Sequence, residues 1–428
     1  MGDATRASLD RVFREEHGRL LAALARRYGD LDFAEDVAQE AIEAALRHWP
    51  VDGVPTKPGA WLLTTARRRA VDRLRRDQTY AARLALLQAE QDRAGPSAPQ
   101  DGVESQIPDE RLHLFFTCAH PALHADDRVA ITLRCLAGFT TTEVARAFLV
   151  PTATAGQRIS RAKQKIRGAR IPFRAPGRDE LPGRLPGVLQ VLYSIFTEGH
   201  AASSGADLVR RELAEEAIRL ARILHALVPA ERETAGLLAL MLLTHARCAA
   251  RIGPSGELRL LAEQDRTLWN RAMIDEGRAL VVESLLRGNP GPYGVQAAIA
   301  ALHAEASTSD DTDWAQIVEL YGVLDRVGPS PIVSLGRAVA VAMRDGPDVG
   351  LVLLEALRDD PVLRVYHPYF AARGDLNHRL GRYAEAADNF RRAERLAGSE
   401  PEREHLAQRA AADDDLSGST SISSKRPD

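Results

Sequence analysis

The sequence has few cysteines, few aromatic residues and no long apolar run. Its three cysteines, Cys118, Cys135 and Cys248, are far apart and form no CxxC pair. This argues against a disulfide framework and indicates buried thiols in a reducing compartment. No stretch approaches the roughly 20 apolar residues of a membrane span, and the N-terminus lacks the apolar core of a signal peptide. We therefore expect a cytoplasmic protein.

Recognisable catalytic motifs are also missing. There is no phosphate-binding glycine loop, no HExxH pair and no nucleophile elbow, so we expect no catalytic residue, no cofactor and no enzyme activity. Three histidines, His113, His120 and His124, lie near Cys118. A zinc site there is conceivable, but surface or capping histidines are the preferred interpretation, and no metal is expected. Because aromatic residues make up only 5% of the chain, extensive stacking on bases is disfavoured.

The net charge of −3 conceals a strong partition along the chain. Residues 57–88 contain 8 basic and 2 acidic residues, and residues 128–177 contain 10 basic and 1 acidic. Between them, residues 89–127 contain 2 basic and 8 acidic residues. Two basic blocks separated by an acidic one favour two distinct nucleic-acid contacts. The alternative is that such runs are merely solvated helix faces.

The first basic block belongs to a predicted helix–loop–helix between Asp32 and Arg76. Its first helix has an apolar stripe backed by an acidic face suited to a basic protein partner. Three prolines and two glycines predict that Pro50 to Gly59 is not helical. The second helix carries an arginine face suited to phosphates. The stripe of the first helix contains Val37, Ala41 and Ala44, and that of the second contains Ala66, Ala70 and Leu74.

The second basic block has the pattern of a helix-turn-helix. A capping box from Thr140 to Glu143 opens a short helix that Pro151 ends. A longer helix follows, with one apolar stripe and an outer face whose side chains can bond base edges and phosphates. An ordinary pair of packed helices remains the alternative. The stripe is Ala155, Ile159, Ala162 and Ile166, and the outer face is Thr154, Gln157, Arg158, Arg161 and Lys165.

The whole chain is predicted to be all-α. Helical segments that start near Tyr293, Pro331 and Tyr366 repeat at a period close to the ~34 residues of tetratricopeptide repeats, and the segment from Phe370 to Ala397 has the clearest repeat signature. The predicted organisation is a first domain over 1–88, a flexible linker over 89–106, a helix-turn-helix domain over 107–171, a proline-rich linker over 172–186, a helical-repeat domain over 187–411 and a disordered tail over 412–428.

Two motifs in order resemble bacterial RNA polymerase sigma factors of the extracytoplasmic-function branch. Residues 36–40 match that family's D-x-x-Q-E, and residues 60–76 match its A-W-L…A-R…D-x-L-R-R. Residues 154–166 fit its T-V-x-S-R-L-x-R-A-x-x-K-L pattern, although Arg68, Leu149 and Ala153 depart from the residues usual in the family. The helical C-terminal region is similar to one group in this branch that carries a tetratricopeptide-like extension.

The resemblance implies a protein that gives core RNA polymerase its promoter specificity and leaves the chemistry to the polymerase. The implied partners are the polymerase, through its β′ clamp helices and β subunit, and promoter DNA. The loop from Trp49 to Gly59 would capture a flipped base of the minus-10 element, while Trp61 is interpreted as a core anchor. The implied polymerase-binding residues are Asp36, Gln39, Glu40 and Glu43. The implied minus-10 contacts are Lys57, Arg67, Arg68, Arg69, Arg73, Arg75 and Arg76. The implied minus-35 contacts are Thr154, Gln157, Arg158, Arg161 and Lys165.

Two other functions fit parts of the sequence. A helix-turn-helix regulator with a helical sensor domain would need no polymerase and would leave the acidic helix unexplained. A scaffold would depend on the repeats alone. Within the sigma-factor hypothesis, the C-terminal region is expected to modulate activity, either by inhibiting it or by being required for it, and to bind a protein or peptide partner.

Overall fold

A computed structural model of the protein describes residues 3–76, 110–148, 150–177, 179–201, 209–253, 257–286 and 290–423. These residues form eighteen α-helices and contain no β-strand, although one isolated bridge joins Ile252 and Leu258. The predicted all-α class is therefore confirmed. The chain divides into two compact units, residues 1–192 and residues 193–428.

The first unit contains two groups of helices and the start of a longer helix in which the boundary between units falls. The first group is α1 (Asp3–Tyr28), α2 (Leu31–Asp52) and α3 (Pro58–Arg76). The second group is α4 (Arg111–Cys118), α5 (Ala125–Cys135), α6 (Thr141–Ala147) and α7 (Thr152–Gly168), followed by α8 (Leu181–His200).

The helices α1, α2 and α3 pack through small side chains and one aromatic cluster. Ala41, Ala66 and Ala70 are fully buried, which lets the helices approach closely. The ring of Trp49 stacks on Phe13 with centroids 5.3 Å apart and meets the ring of Trp61 edge-on at 5.4 Å. Trp61 is half-buried, whereas Trp49 is only 4% exposed, so Trp61 packs against the core rather than fully inside it.

The loop between α2 and α3 is shorter than predicted. Helix α2 continues through Pro50 to Asp52, and α3 already begins at Pro58. Pro50 is tolerated because it lies in the last turn of α2. The buried ring of Trp49 packs this turn against the domain, and the Gly53 N–H donates a hydrogen bond to the Trp49 carbonyl at 3.0 Å. Pro58 occupies the first helical position, where a missing N–H costs nothing.

The helix-turn-helix forms as the sequence predicts. Both bonds of the capping box are present: Glu143 N donates to Thr140 Oγ1 at 3.1 Å, and Thr140 N donates to Glu143 Oε2 at 2.7 Å. Helix α7 begins at Thr152, directly after Pro151. The predicted apolar stripe is buried throughout, and it consists of Ala155, Ile159, Ala162 and Ile166.

The second unit is a succession of paired helices. They are α9 (Arg211–Leu227), α10 (Arg232–His245), α11 (Arg271–Leu285), α12 (Pro292–Glu305), α13 (Trp314–Val327), α14 (Pro331–Asp345), α15 (Pro347–Glu355), α16 (His367–Arg379), α17 (Tyr383–Leu396) and α18 (Glu400–Ser423). The repeat starts predicted from the sequence coincide with the beginnings of α12, α14 and α16 within a residue. None of the helices in the described ranges is long and apolar enough to cross a membrane.

The hairpin of α16 and α17 shows how the repeat packs. Gly381 turns the chain with a φ of +71°, a conformation that favours glycine. Gly374 leaves room for the ring of Phe390, because a Cβ at that position would lie 2.7 Å from a ring carbon. Ala386 and Ala393 are fully buried between the helices.

The tail prediction differs from the structure. Residues 412–423, expected to be disordered, continue helix α18. Asp413 is only 1% exposed and lies 2.6 Å from His378 Nδ1, and Asp414 accepts from Arg391 at 2.7 Å. The acidic composition resembles a solvated tail, but these two carboxylates have partners on α16 and α17. The predicted extension of α3 to Gln88, the linker over 89–106, the domain start at Ile107 and residues 424–428 lie outside the described residues.

The close approach of α10 and α12 yields a stability prediction. A Cβ on Gly236 would lie 2.6 Å from the backbone nitrogen of Gly294, and backbone cannot move aside as a side chain can. We expect Gly236→Ala to destabilise the protein by about 1–3 kcal/mol and to lower its melting temperature by several degrees. Circular dichroism during heating measures this.

The matched control is Gly183→Ala in α8, where a Cβ meets nothing within 4 Å. It should leave the melting temperature unchanged or raise it slightly, because alanine is the better helix former by roughly 1 kcal/mol. If Gly236→Ala and the wild type have the same melting temperature, the contact between α10 and α12 is not as close as described.

Candidate protein-binding and nucleic-acid-binding surfaces

The acidic face of α2 lies opposite its buried stripe. Asp36, Gln39 and Glu43 are exposed and Glu40 is half-buried. In the described part of the chain, the side chains of Gln39 and Glu43 make no hydrogen bond or ion pair, so they are free to meet a partner. Leu46, 44% exposed, follows on the same face one turn after Glu43. Leu46 was not predicted as part of this face, although its spacing of seven residues from Gln39 could have placed it there.

The arginine face of α3 is mostly solvent-facing. Arg67, Arg68, Arg69 and Arg75 are exposed, and so is Lys57 in the preceding loop. The side chain of Arg76 lies outside the description. Exposed positive charge along one helix is what a phosphate backbone requires.

Arg73 differs from the other arginines of α3. It is half-buried, its guanidinium lies 2.9 Å from Asp36 and 3.8 Å from Glu40, and it covers the ring of Phe33 at 5.7 Å. A predicted DNA contact is therefore paired with two predicted polymerase contacts. The acidic and basic faces meet along this ion pair.

On the outer face of α7, the two arginines form ion pairs, whereas the other predicted contacts face solvent to different degrees. Gln157 and Lys165 are exposed and Thr154 is half-buried. Arg158 pairs with Asp126 at 2.9 Å, and Arg161 donates to both carboxylate oxygens of Asp127, at 2.8 and 3.3 Å. The two carboxylates at the start of α5 thus fix the orientation of the two arginines.

The two groups of helices in the first unit contact each other through a cluster of charges that the sequence did not predict. Lys163 Nζ on α7 lies 2.9 Å from Asp32 and 2.8 Å from Glu35, both on α2. Arg134 lies 3.4 Å from Glu35, and Arg167 pairs with Asp32. The side chains of Lys163 and Glu35 are only 16% and 12% exposed. We call these five residues the interdomain ion cluster.

Within the cluster, the pKa values of Asp32 and Lys163 are shifted toward their charged forms. Burial alone would raise the pKa of Asp32, but Lys163 and Arg167 lower it below its ordinary value. Burial alone would lower the pKa of Lys163, but Glu35 and Asp32 raise it. Because both shifts favour the charged form, Asp32 and Lys163 form an ion pair rather than a neutral hydrogen bond.

Close backbone packing surrounds the same contact. A Cβ on Gly18 of α1 would lie 2.9 Å from the carbonyl oxygen of Leu136. Gly138, with a φ of +74°, lies against the ring of His17. The two groups of helices are therefore held together by shape as well as by charge.

Metal binding has no candidate in the residues described. No group of three or more histidine, cysteine, aspartate or glutamate side chains is placed to hold an ion there. His120 Nδ1 instead accepts a hydrogen bond from the Ala122 N–H at 3.1 Å. All three cysteines are buried, and burial raises the pKa of the Cys135 thiol well above its ordinary value.

The first unit combines an acidic helix face, an adjacent arginine face and a helix-turn-helix. This combination defines an all-α DNA-binding protein with a second surface for a protein partner. Residues 13–80 match the Sigma-70 region 2 family, residues 116–166 match Sigma-70, region 4, and residues 184–285 match a family of unknown function, DUF6596. The chain belongs to the sigma-70 family, as an extracytoplasmic-function sigma factor with an additional C-terminal domain.

Two relatives illustrate how far the similarity extends. An uncharacterized protein of Rhizobium meliloti (strain 1021) is 42% identical over 389 residues, which cover 90% of this chain and 91% of the relative. The ECF RNA polymerase sigma factor SigL of Mycobacterium tuberculosis is 29% identical over 166 residues, 38% of this chain and 90% of SigL. As a sigma factor, the protein directs transcription initiation by binding core RNA polymerase and promoter DNA.

The interdomain ion cluster yields a testable consequence. Lys163→Met removes the cation between Asp32 and Glu35 and leaves Arg167 and Arg134 as their remaining partners. Loss of one partner of an ion pair costs about 3–5 kcal/mol when burial is complete, and less here because the side chain of Asp32 is 45% exposed. We expect the contact between region 2 and region 4 to open. Fluorescent dyes on cysteines introduced at the exposed positions Arg47 and Gln164 should show lower energy transfer.

Lys165→Met is the control, since Lys165 is exposed on the same helix and has no ion pair in the described residues. It should keep the energy transfer of the parent protein. High salt should lower the transfer in the parent by screening. Unchanged transfer in Lys163→Met would mean that shape alone holds the contact.

Proposed function

We propose that the face of α2 formed by Asp36, Gln39, Glu40 and Glu43 docks on the β′ clamp helices of core RNA polymerase. The observation that carries the proposal is the availability of Gln39 and Glu43: both are exposed and without a partner in the described residues, on a helix whose opposite side is fully buried. A rigid helix presents these groups with little loss of entropy on binding. Leu46 adds an apolar contact to the same face.

The arginine face of α3 contacts promoter DNA around the minus-10 element in this proposal. Each arginine that neutralises a phosphate releases counterions, so affinity falls steeply with salt. Lys57 and the loop over 53–57 face the strand to be separated, together with the exposed Val51 and Val54, which are 84% and 46% exposed. Flipping a base out of the stack costs a few kcal/mol, which polymerase and strand contacts would offset.

Helix α7 reads the minus-35 element in the same proposal. Arg158 and Arg161 are pre-oriented by Asp126 and Asp127, so each guanidinium can meet a guanine edge or a phosphate without first being ordered. Gln157 and Lys165 are available for direct contact, and Thr154 flanks them.

Binding both elements at once requires the two groups of helices to separate. Elements named minus-10 and minus-35 lie about 25 base pairs apart, or roughly 85 Å at about 3.4 Å per base pair. In the structure, Lys163 and Glu35 are 2.8 Å apart. We therefore infer that the interdomain ion cluster opens when the factor engages polymerase and promoter, and that the C-terminal unit modulates this step, with a protein or peptide as its partner.

Glu43→Lys tests the docking face. Because Glu43 is exposed and unpaired in the described residues, the change should leave the fold intact while it places a positive charge against a basic partner. We expect affinity for purified core polymerase to fall at least about tenfold, or roughly 1.4 kcal/mol. Asp310→Lys, an equal charge change at an exposed site outside the matched segments, is the control. Polymerase binding equal to the control would exclude this face.

A double substitution tests the arginine face. Arg68→Ala with Arg69→Ala removes two exposed charges and should weaken binding of the polymerase holoenzyme to promoter DNA, with the salt dependence reduced by about one unit for each lost phosphate contact. Affinity for core polymerase without DNA should not change. A parallel loss of polymerase affinity would assign these arginines to the protein interface instead.

A further inference from the structure

The second unit contains a cavity that the function described so far does not use. Its volume is about 260 Å³, and it lies between α10, α12, α13 and the start of α14. Leu243, Ile299 and Leu324 contribute apolar walls. Arg247, Trp269 and His303 contribute polar groups at the same cavity. The cavity spans the end of the segment that matches the family of unknown function and the repeats that follow it.

Two polar atoms at this cavity have no hydrogen-bond partner among the described residues. Trp269 is only 4% exposed, and its indole N–H makes no hydrogen bond to any residue that the structure describes. His303 Nδ1 is also buried without a partner. Behind Trp269, Arg266 covers the indole ring at 4.5 Å; its Nη1 donates to the carbonyls of His303 and Ala306, while its Nη2 is buried and unpaired. Such groups are costly unless something bonds them.

The charge in the cavity is positive and uncompensated. Among the described residues, no carboxylate lies within ion-pair distance of Arg247. Burial, with the nearby Arg251 and Arg266, lowers the pKa of Arg247 to about 10, so the guanidinium remains charged at neutral pH. Burial, together with the nearby Arg247 and Arg266, lowers the pKa of His303 to about 4. This imidazole is therefore neutral at neutral pH and can donate one N–H. An anion would supply the missing negative charge.

We propose that this cavity binds a small organic carboxylate with a flat apolar body. The fork of Arg247 matches the two oxygens of a carboxylate, and the Trp269 N–H and the His303 imidazole can donate to the same group. The apolar walls accommodate the body of the ligand. A phosphate dianion would require a second free cation, but Arg266 already has one nitrogen committed to two carbonyls. The cavity volume of about 260 Å³ lies just below the usual range of ligand pockets, about 300–1,000 Å³, so the cavity suits a small ligand.

The test uses the full-length protein without polymerase or DNA, so its outcome is independent of the function proposed above. Sodium benzoate is the probe, benzamide is its neutral counterpart of the same shape, and inorganic phosphate is the anion without an apolar body. We expect benzoate at saturation to raise the melting temperature by at least about 2 °C and to change tryptophan fluorescence. Benzamide and phosphate should do neither.

Arg247→Met separates a binding role from a structural one. We expect it to weaken benzoate binding at least tenfold in calorimetric titration. The ligand-free protein should melt at the same or a higher temperature, because a half-buried cation without a carboxylate partner among the described residues has been removed. Arg222→Met is the control: Arg222 makes two hydrogen bonds to Glu276 at 3.0 and 2.7 Å, and its loss should leave benzoate binding intact.

A second variant keeps Arg247 and fills the space. Ala300 lines the cavity, and Ala300→Leu should reduce benzoate affinity by displacing the ligand body. The proposal is overturned if benzoate has no effect on the wild type, if benzamide or phosphate act as strongly, or if Arg247→Met melts below the wild type and so shows the arginine to be structural. Benzoate binding lost in both variants and kept in Arg222→Met supports it.

Discussion

Close helix packing through small side chains is the constraint on which the described structure depends. Ala41, Ala66 and Ala70 have no exposed surface, and at Gly236 two backbones nearly touch. Helices that pack this closely confine their small residues to one side, so charged residues occupy the other. The acidic face of α2 and the basic face of α3 are consequences of this packing. They are rigid because the side behind them cannot shift without overpacking.

Helix α2 carries residues for two different contacts, one with α7 of the same chain and one proposed with a protein partner. Asp32 and Glu35 pair with Lys163 of α7, while Gln39 and Glu43, one to two turns further on, are free for a partner. Burying ion pairs contributes little net stability, because desolvation offsets much of the attraction. Such a contact can therefore be specific and yet open when stronger contacts compete. This suits a factor that must separate its two DNA-reading domains.

The second unit uses the same small-residue packing, but it leaves a cavity beside Arg247. Eleven of the 24 described arginines there pair with carboxylates, as Arg222 does with Glu276. Arg247 instead lies beside other arginines and an apolar cavity. A fold built only for stability gains nothing from a half-buried cation that has no carboxylate partner among the described residues. The cavity is for this reason the feature of the unit that most resembles a binding site.

The sequence by itself determined the all-α class, the stripes of α2, α3 and α7, the capping box at Thr140 and the family, because each depends on neighbours within a few turns. Only the tertiary structure decided that Pro50 stays helical against Trp49 and that Asp413 lies buried beside His378. It alone joined Lys163 to Glu35, 128 residues away, and left Arg247 unpaired. Contacts between distant segments leave no periodic pattern in the sequence, since their energies depend on which surfaces the folded chain brings together.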